Sequence, residues 1–208
     1  QNNSNVVWEA VEAGPLRDDP YNRFIHIVFT LSSGKHLALS DVRKFAKIML
    51  FKKTEIGEIP DLKNLGPEPM DKKFTLTEFK KVLEKGGKKK KIKQFLMEQK
   101  NIAGIGNIYA DEILWTAYVS PLRNLGDLNE KDIENIFKAI KDVLKTAIKA
   151  KGDSMSDYRR PSGEKGNYQK IQNAYRQTGK SCKKNDGGII KRVKLGARST
   201  HFCPIHQV

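Results

Sequence analysis

Several clusters of side chains in this sequence have types and spacings that suit chemistry on anions, metals or stacked rings. Lys88–Lys91 and Lys93 crowd ammonium groups onto a short segment, and Asn101-Ile102-Ala103-Gly104-Ile105-Gly106-Asn107 follows closely. Taken alone, such a lysine run is a solvated face. The glycines change the weighing. Gly104 and Gly106 let backbone approach a ligand, and Asn107 stands where a helix N-cap is expected. Amides at the start of the helix that follows, with its dipole, form an anion site. Lysines joined to such amides grip phosphate without reading bases. The phosphates of a single nucleotide would also fit, but a net charge of +15, from 39 Lys+Arg against 24 Asp+Glu, favours a polymeric anion.

A second cluster lies in the tail, where Cys182-x2-Asn185 and Cys203-x2-His206 bracket a basic, apolar-alternating stretch. A zinc ribbon takes four soft or borderline ligands in two close pairs. Cys182, Cys203 and His206 are three of them; the fourth position holds Asn185, a poor ligand, with Asp186 beside it as a carboxylate substitute. Zinc and a metal-free finger are both open readings, and without the ion the hairpin must lean on the rest of the chain. The third cluster is Asp41-Val42-Arg43-Lys44-Phe45. Two cations and an aromatic at a strand start suit the end of a strand with a buried Phe45. They equally suit a wedge, with Phe45 inserted between bases and Arg43 filling the vacated space.

The elements that must position these groups divide the chain. Its 208 residues suffice for one large domain or two small ones. No apolar run approaches the ~20 residues needed to span a bilayer, and the opening does not read as a signal peptide. Two cysteines exclude a multi-disulfide secreted scaffold. The opening to Asn22 reads as loop. Phe24–Leu31 and His36–Leu39 read as strands around a Ser32–Lys35 turn, and Phe45–Phe51 as a further strand. Leu65-Gly66-Pro67-Glu68-Pro69 reads as a linker, since its prolines remove donors and restrict their predecessors. Helical spacing then takes over: Leu76, Phe79, Val82 and Leu83, ended by Gly86-Gly87; Ile92, Phe95 and Leu96; and Ile108 through Ala117. The clearest helix carries Ile133, Ile136, Phe137, Ile140, Val143, Leu144, Ala147 and Ile148 as a core stripe between an Asn129 cap and a Gly152 stop. Ser154–Gln169 is a polar loop. The tail forms a hairpin turning at Gly196-Ala197-Arg198-Ser199.

At Ile102-Ala103-Gly104-Ile105-Gly106-Asn107-Ile108-Tyr109-Ala110-Asp111-Glu112 the sequence resembles the helix-two-turn-helix of formamidopyrimidine-DNA glycosylases. Asp41–Phe45, Leu65–Pro69, Ser156-Asp157-Tyr158-Arg159-Arg160-Pro161 and Lys194–Cys203 resemble the same family in the same order, from about residue 20 onward. The resemblance implies an α+β chain: a remnant of an N-terminal β-sandwich domain over 1–64, a linker over 65–75, a helix-two-turn-helix domain over 76–177 with a lesion-type loop at 154–169, and a zinc-finger-like β-hairpin over 178–208. It implies a monomeric DNA-repair protein of the cytoplasm and nucleoid that acts on double-stranded DNA with oxidised or abasic lesions. Asn107, Lys89 and Lys93 would hold phosphates near the damaged nucleotide, with Tyr109 beside them. Arg43 and Phe45 would fill the void it leaves. Arg198 would clamp the flanking phosphates and assist the final elimination, making it the catalytic residue of this chain. His26 falls near a DNA-contacting histidine, although Phe24 stands where a second is often found. The loop at 154–169 favours the oxidised-purine branch over endonuclease VIII. The finger implies zinc at Cys182, Asp186, Cys203 and His206.

The family's nucleophilic proline, its neighbouring glutamate, the β-elimination lysine and the methionine of the wedge have no counterpart here, where the chain begins Gln1-Asn2-Asn3-Ser4. A secondary amine must attack the sugar C1′ to form the Schiff base. The expectation is therefore DNA binding without catalysis, in a chain that is a fragment of a bifunctional glycosylase and lyase. A non-catalytic helix-two-turn-helix and finger module is the rival reading.

Overall fold

The computed structural model describes residues 13–154 and 158–208. The first twelve residues of the loop expected up to Asn22, and Ser156 and Asp157 of the lesion-type loop, lie outside the described residues. The chain divides into two compact units: residues up to 51 with 150–170, and residues 52–149 with 171–208. The expected boundary at 64 lies within the second unit, and the segment containing the loop groups with the N-terminal strands.

In the first unit, β1 (Ile25–Thr30) and β2 (His36–Ser40) pair antiparallel as a two-stranded sheet. Gly34, at φ +76°, makes the turn, with Leu31 N–H donating to Lys35 C=O at 2.9 Å. The strand expected over Phe45–Phe51 does not form; the segment carries no ladder, and Leu50 is 99 % exposed. Apolar and β-branched residues make a strand only where a neighbour takes their backbone groups, and among the described residues none does. The C-terminal piece of this unit is held by Arg159, whose Nε lies 3.0 Å from Asp19 Oδ2 and whose guanidinium stacks over Tyr21.

The second unit is helical with a terminal hairpin. It contains α1 (Pro60–Lys63), α2 (Leu76–Glu84), α3 (Ile92–Met97), α4 (Asn107–Ala117) and α5 (Glu130–Lys149). Thr75 caps α2 through its hydroxyl, which accepts from Glu78 N–H. At the start of α5, Asn129 and Asp132 exchange side-chain and backbone hydrogen bonds at 2.9 Å each, a reciprocal cap of the expected kind. The α5 stripe buries Ile136, Ile140, Val143, Leu144 and Ala147, but Ile148 is 61 % exposed and is not core. The buried stripe ends one residue earlier, at Ala147, which is 3 % exposed. α4 is buried almost all round, packing on α3, on α5 and on the strand β4 described next.

The tail forms β3 (Lys191–Leu195) and β4 (Arg198–Phe202), antiparallel from Lys191↔Phe202 to Leu195↔Arg198. Their turn is therefore Gly196-Ala197 alone, tighter than expected, with Gly196 at φ +58°. Leu65–Pro69 is without regular structure, as its prolines require, but it is not slack. Gly66 N–H donates to Gln99 C=O at 2.7 Å and Ala103 N–H to Pro67 C=O at 3.1 Å. A Cβ on Gly66 would lie 2.4 Å from the Asn101 carbonyl carbon, so only glycine fits.

Candidate nucleic-acid interface

Gly106, not Asn107, is the N-cap of α4, and no side chain caps the helix there. Asn107 is the first helical residue, so the helix begins one residue earlier than expected, because the extended Gly106 already supplies the carbonyl that Ala110 N–H finds at 2.9 Å. The Asn107 Oδ1 is buried without a hydrogen-bond partner. Gly104 holds φ +79°, and added Cβ atoms at Gly104 and Gly106 would meet nothing within 4 Å. This surface is open, and the amino end of α4 gives it positive potential. Tyr109 lies half-buried in the first turn of α4. Lys88 and Lys89 are exposed, whereas Lys90 is paired to Glu98.

Lys93, expected beside a phosphate, is 1 % exposed, and its Nζ lies 2.7 Å from Asp111 Oδ1. The Asp111 contact is ionic, off the hydrogen-bond direction, while the amine donates to Thr200 Oγ1 at 2.8 Å and Ser199 C=O at 2.9 Å. Asp111 Oδ2 in turn accepts from the His201 backbone N–H at 2.9 Å and from its ring Nδ1 at 3.0 Å. Burial pushes the Lys93 amine below its ordinary value, with the Asp111 carboxylate opposing. The next residue, Glu112, is equally buried, and its carboxylate accepts from the backbone N–H groups of Asn173, Ala174 and Tyr175. Asp111, Glu112, Thr200 and His201 were not picked out from sequence. The available signal was two adjacent carboxylates inside an apolar helix, which must find buried partners.

This network fixes β4 one residue from Arg198, which stands exposed at the hairpin tip as expected. A groove between α3 and the tip is lined by Lys93, Gln94, Met97, Glu98 and Leu195–Arg198.

Cys182, Asp186, Cys203 and His206 converge, with one donor atom of each within 4.8 Å of the others. Cys203 Sγ lies 3.3 Å from Asp186 Oδ2, Cys182 Sγ 3.5 Å from His206 Nδ1, and that Nδ1 2.6 Å from Asp186 Oδ2. His206 Nε2 donates to Trp115 C=O at 3.2 Å, which turns Nδ1 toward the cluster. Both thiols are free and buried. A Cβ at Gly188 would stand 2.3 Å from Cys203 Sγ, so the turn leaves room for the donors alone. Asn185 takes the left-handed turn position at φ +55°, exposed, and Asp186 supplies the fourth donor. Burial pushes the Asp186 carboxyl up, but hydrogen bonds from Gly188 N–H, His206 and Cys203 outweigh it and hold the group at about 2. Two thiols, an imidazole and a carboxylate suit a tetrahedral zinc ion.

In the first unit, Arg43 and Phe45 lie in a turn after β2 and not at a strand start. Asp41 takes Arg43 N–H on Oδ1 at 2.9 Å and Ala46 N–H on Oδ2 at 2.7 Å, and Lys44 sits at φ +57°. The Ala46 N–H bond, above all, lowers the Asp41 carboxyl. Phe45 is thrust out, 77 % exposed, with the Arg43 guanidinium 5.7 Å from its ring centre. His26 Nε2 donates to the Asp41 carbonyl at 3.0 Å, so it braces the same turn. The base of the polar loop is built in this unit too: Gly166 N–H donates to Ser154 Oγ at 2.8 Å and Tyr168 N–H to Gly152 C=O at 3.0 Å.

Fold and site define a helix-two-turn-helix protein with a basic, open helix terminus and a donor cluster beneath a terminal hairpin. The profile of the formamidopyrimidine-DNA glycosylase H2TH domain matches residues 65–159. The formamidopyrimidine-DNA glycosylase of Herpetosiphon aurantiacus is 40 % identical over 91 % of this chain and 68 % of its own length. That of Listeria monocytogenes is 38 % identical over 90 % and 67 %. Among solved structures, Lactococcus lactis Fpg in complex with abasic-site DNA superposes with a TM-score of 0.80 at 34 % identity, covering 91 % of this chain and 68 % of that one. A MutM complex with DNA containing carbocyclic 8-oxo-G gives 0.78, also at 34 %, over 92 % and 68 %. The chain belongs to the formamidopyrimidine-DNA glycosylase family. It spans about two thirds of the length of these relatives.

Proposed function

We propose that this chain is the DNA-engaging part of a base-excision-repair glycosylase and lyase acting on oxidised purines. The uncapped amino end of α4, with Asn107 at its first position and Lys89 nearby in sequence, carries this reading. These groups hold backbone phosphates. Arg198 clamps those flanking the damaged nucleotide and assists elimination. Arg43 and Phe45 fill the stack once the nucleotide is extruded, His26 supports them, and the 154–169 loop covers the extruded base. The Lactococcus relative bound to abasic-site DNA and the MutM complex with an 8-oxo-G analogue support this choice of partner.

The four-donor cluster holds zinc, which ties the ends of the hairpin module together; Cys182, Asp186, Cys203 and His206 are its ligands. The lyase step requires an amine nucleophile at the sugar C1′. The 208 residues hold no counterpart of the family's nucleophilic proline, so the chain binds lesion duplexes without cutting them. Incubation with an 8-oxoguanine duplex and borohydride should yield no covalent adduct, while an abasic-site duplex is bound in preference to an intact one. A trapped adduct would refute inactivity, and equal affinities would favour a general binding module.

A further inference from the structure

We infer that Gln99 is the positioning residue of the phosphate-binding turn, a role that rests on the reading of α4's amino end given above. α3 stops at Met97, and the chain must reverse before α4 begins at Asn107. A reversal this short leaves backbone groups without helical partners, and one side chain takes several of them. Gln99 Oε1 accepts from Gly104 N–H at 2.8 Å. Its Nε2 donates to Ile105 C=O at 2.9 Å and to Met97 C=O at 3.2 Å. Its own backbone carbonyl receives Gly66 N–H at 2.7 Å. Gln99 thus joins the linker to the two residues that precede the N-cap Gly106. Gly104, at φ +79°, is held in its left-handed conformation from the acceptor side, and Ile105 from the donor side.

The pattern selects an amide. An acceptor must face Gly104 and a donor must face Ile105, on a single terminal carbon. Glutamate keeps the first and sets an anionic oxygen against the Ile105 carbonyl; methionine keeps neither. Gln99 is exposed and packs in no core, so the fold does not depend on its volume. Its role is to fix where Gly106 and the first amides of α4 point.

The test measures binding of the full chain to an abasic-analogue duplex at pH 8 and pH 5, for wild type, Gln99→Glu and Gln99→Met. Losing the brace should weaken binding about tenfold at pH 8 in both variants, the scale of one unsatisfied turn group, with thermal midpoints close to wild type. A protonated glutamate regains a donor. The facing Ile105 carbonyl disfavours the anion, so relative to wild type Gln99→Glu should recover part of its loss at pH 5, whereas Gln99→Met should not. Of the neighbouring charges, Glu98 is held low chiefly by Lys90, and Lys100 lies 4.0 Å from its other carboxylate oxygen. Variants within twofold of wild type at pH 8, or equal losses at both pH values, would overturn the inference. Failure of wild type itself to bind would instead count against the proposed function; the Gly104 amide resonance, displaced in Gln99→Met, reads the brace without DNA.

Discussion

Replacing Lys93 by methionine removes an amine that is 1 % exposed and holds Asp111, Thr200 and Ser199 together. Asp111, 0 % exposed, is left with the His201 contacts alone. Breaking a buried pair from one side costs roughly 3–5 kcal/mol. His201 still offers a backbone and a ring N–H, which places the loss near the lower end, about 3 kcal/mol. For a chain of this size that lowers the melting midpoint by roughly 6–12 °C. A surface lysine would behave differently: stability would move by no more than about 0.5 kcal/mol, and one lost phosphate contact would make the log–log salt slope of binding shallower by about 0.9. Urea unfolding followed by circular dichroism, with binding titrations at several salt concentrations, separates the two. The buried reading requires a large loss of stability and an unchanged slope near −4 to −5, the value for roughly five neutralised phosphates. Lys93→Met with Asp111→Asn should recover part of the loss, since an amide oxygen still accepts from His201 N–H while neither buried charge remains. A stable single variant with a shallower slope would refute the reasoning.

Arg198→Ala should leave the melting midpoint within about 1–2 °C, because the side chain is exposed, yet weaken binding to an abasic duplex several-fold; a matched loss of stability would contradict the assignment. Metal analysis should find zinc at one ion per chain, and chelation at neutral pH should abolish amide protection in β3 and β4 while α5 stays protected. Retained protection in metal-free protein would remove zinc from the account. The Asp41 carboxyl is held below its ordinary value, so its support of the Arg43–Phe45 turn is complete above about pH 3.9 and is lost as pH falls through the lower folded value. The Ala46 amide shift between pH 6 and 2.5 reports this, and a midpoint above 3.9 would reverse the sign.

What could be read from sequence followed from how local the determining interactions are. α5 announced itself through a stripe bounded by Asn129 and Gly152, and its cap formed as written. The glycine turn before α4 was equally legible, since Gly104 needs a conformation that few residues adopt. Phe45–Phe51 failed as a strand because pairing is a property of two segments, and composition describes only one. Lys93 sits in a run of lysines whose other members meet solvent or Glu98; its burial is decided by Asp111 and Thr200, far along the chain. Choosing between Asn185 and Asp186 also needed the backbone, which spends Asn185 on a left-handed turn and turns Asp186 inward.

The donor cluster carries a consequence for redox chemistry. Cys182 and Cys203 are the only sulfhydryls in the 208 residues, and both lie in that cluster. A finger with four thiols can lose two to a disulfide and keep two. Here any disulfide formed within the chain consumes both at once and leaves only an imidazole and a carboxylate. Thiol oxidation and competence to hold a soft metal are therefore a single variable in this chain, set by one bond.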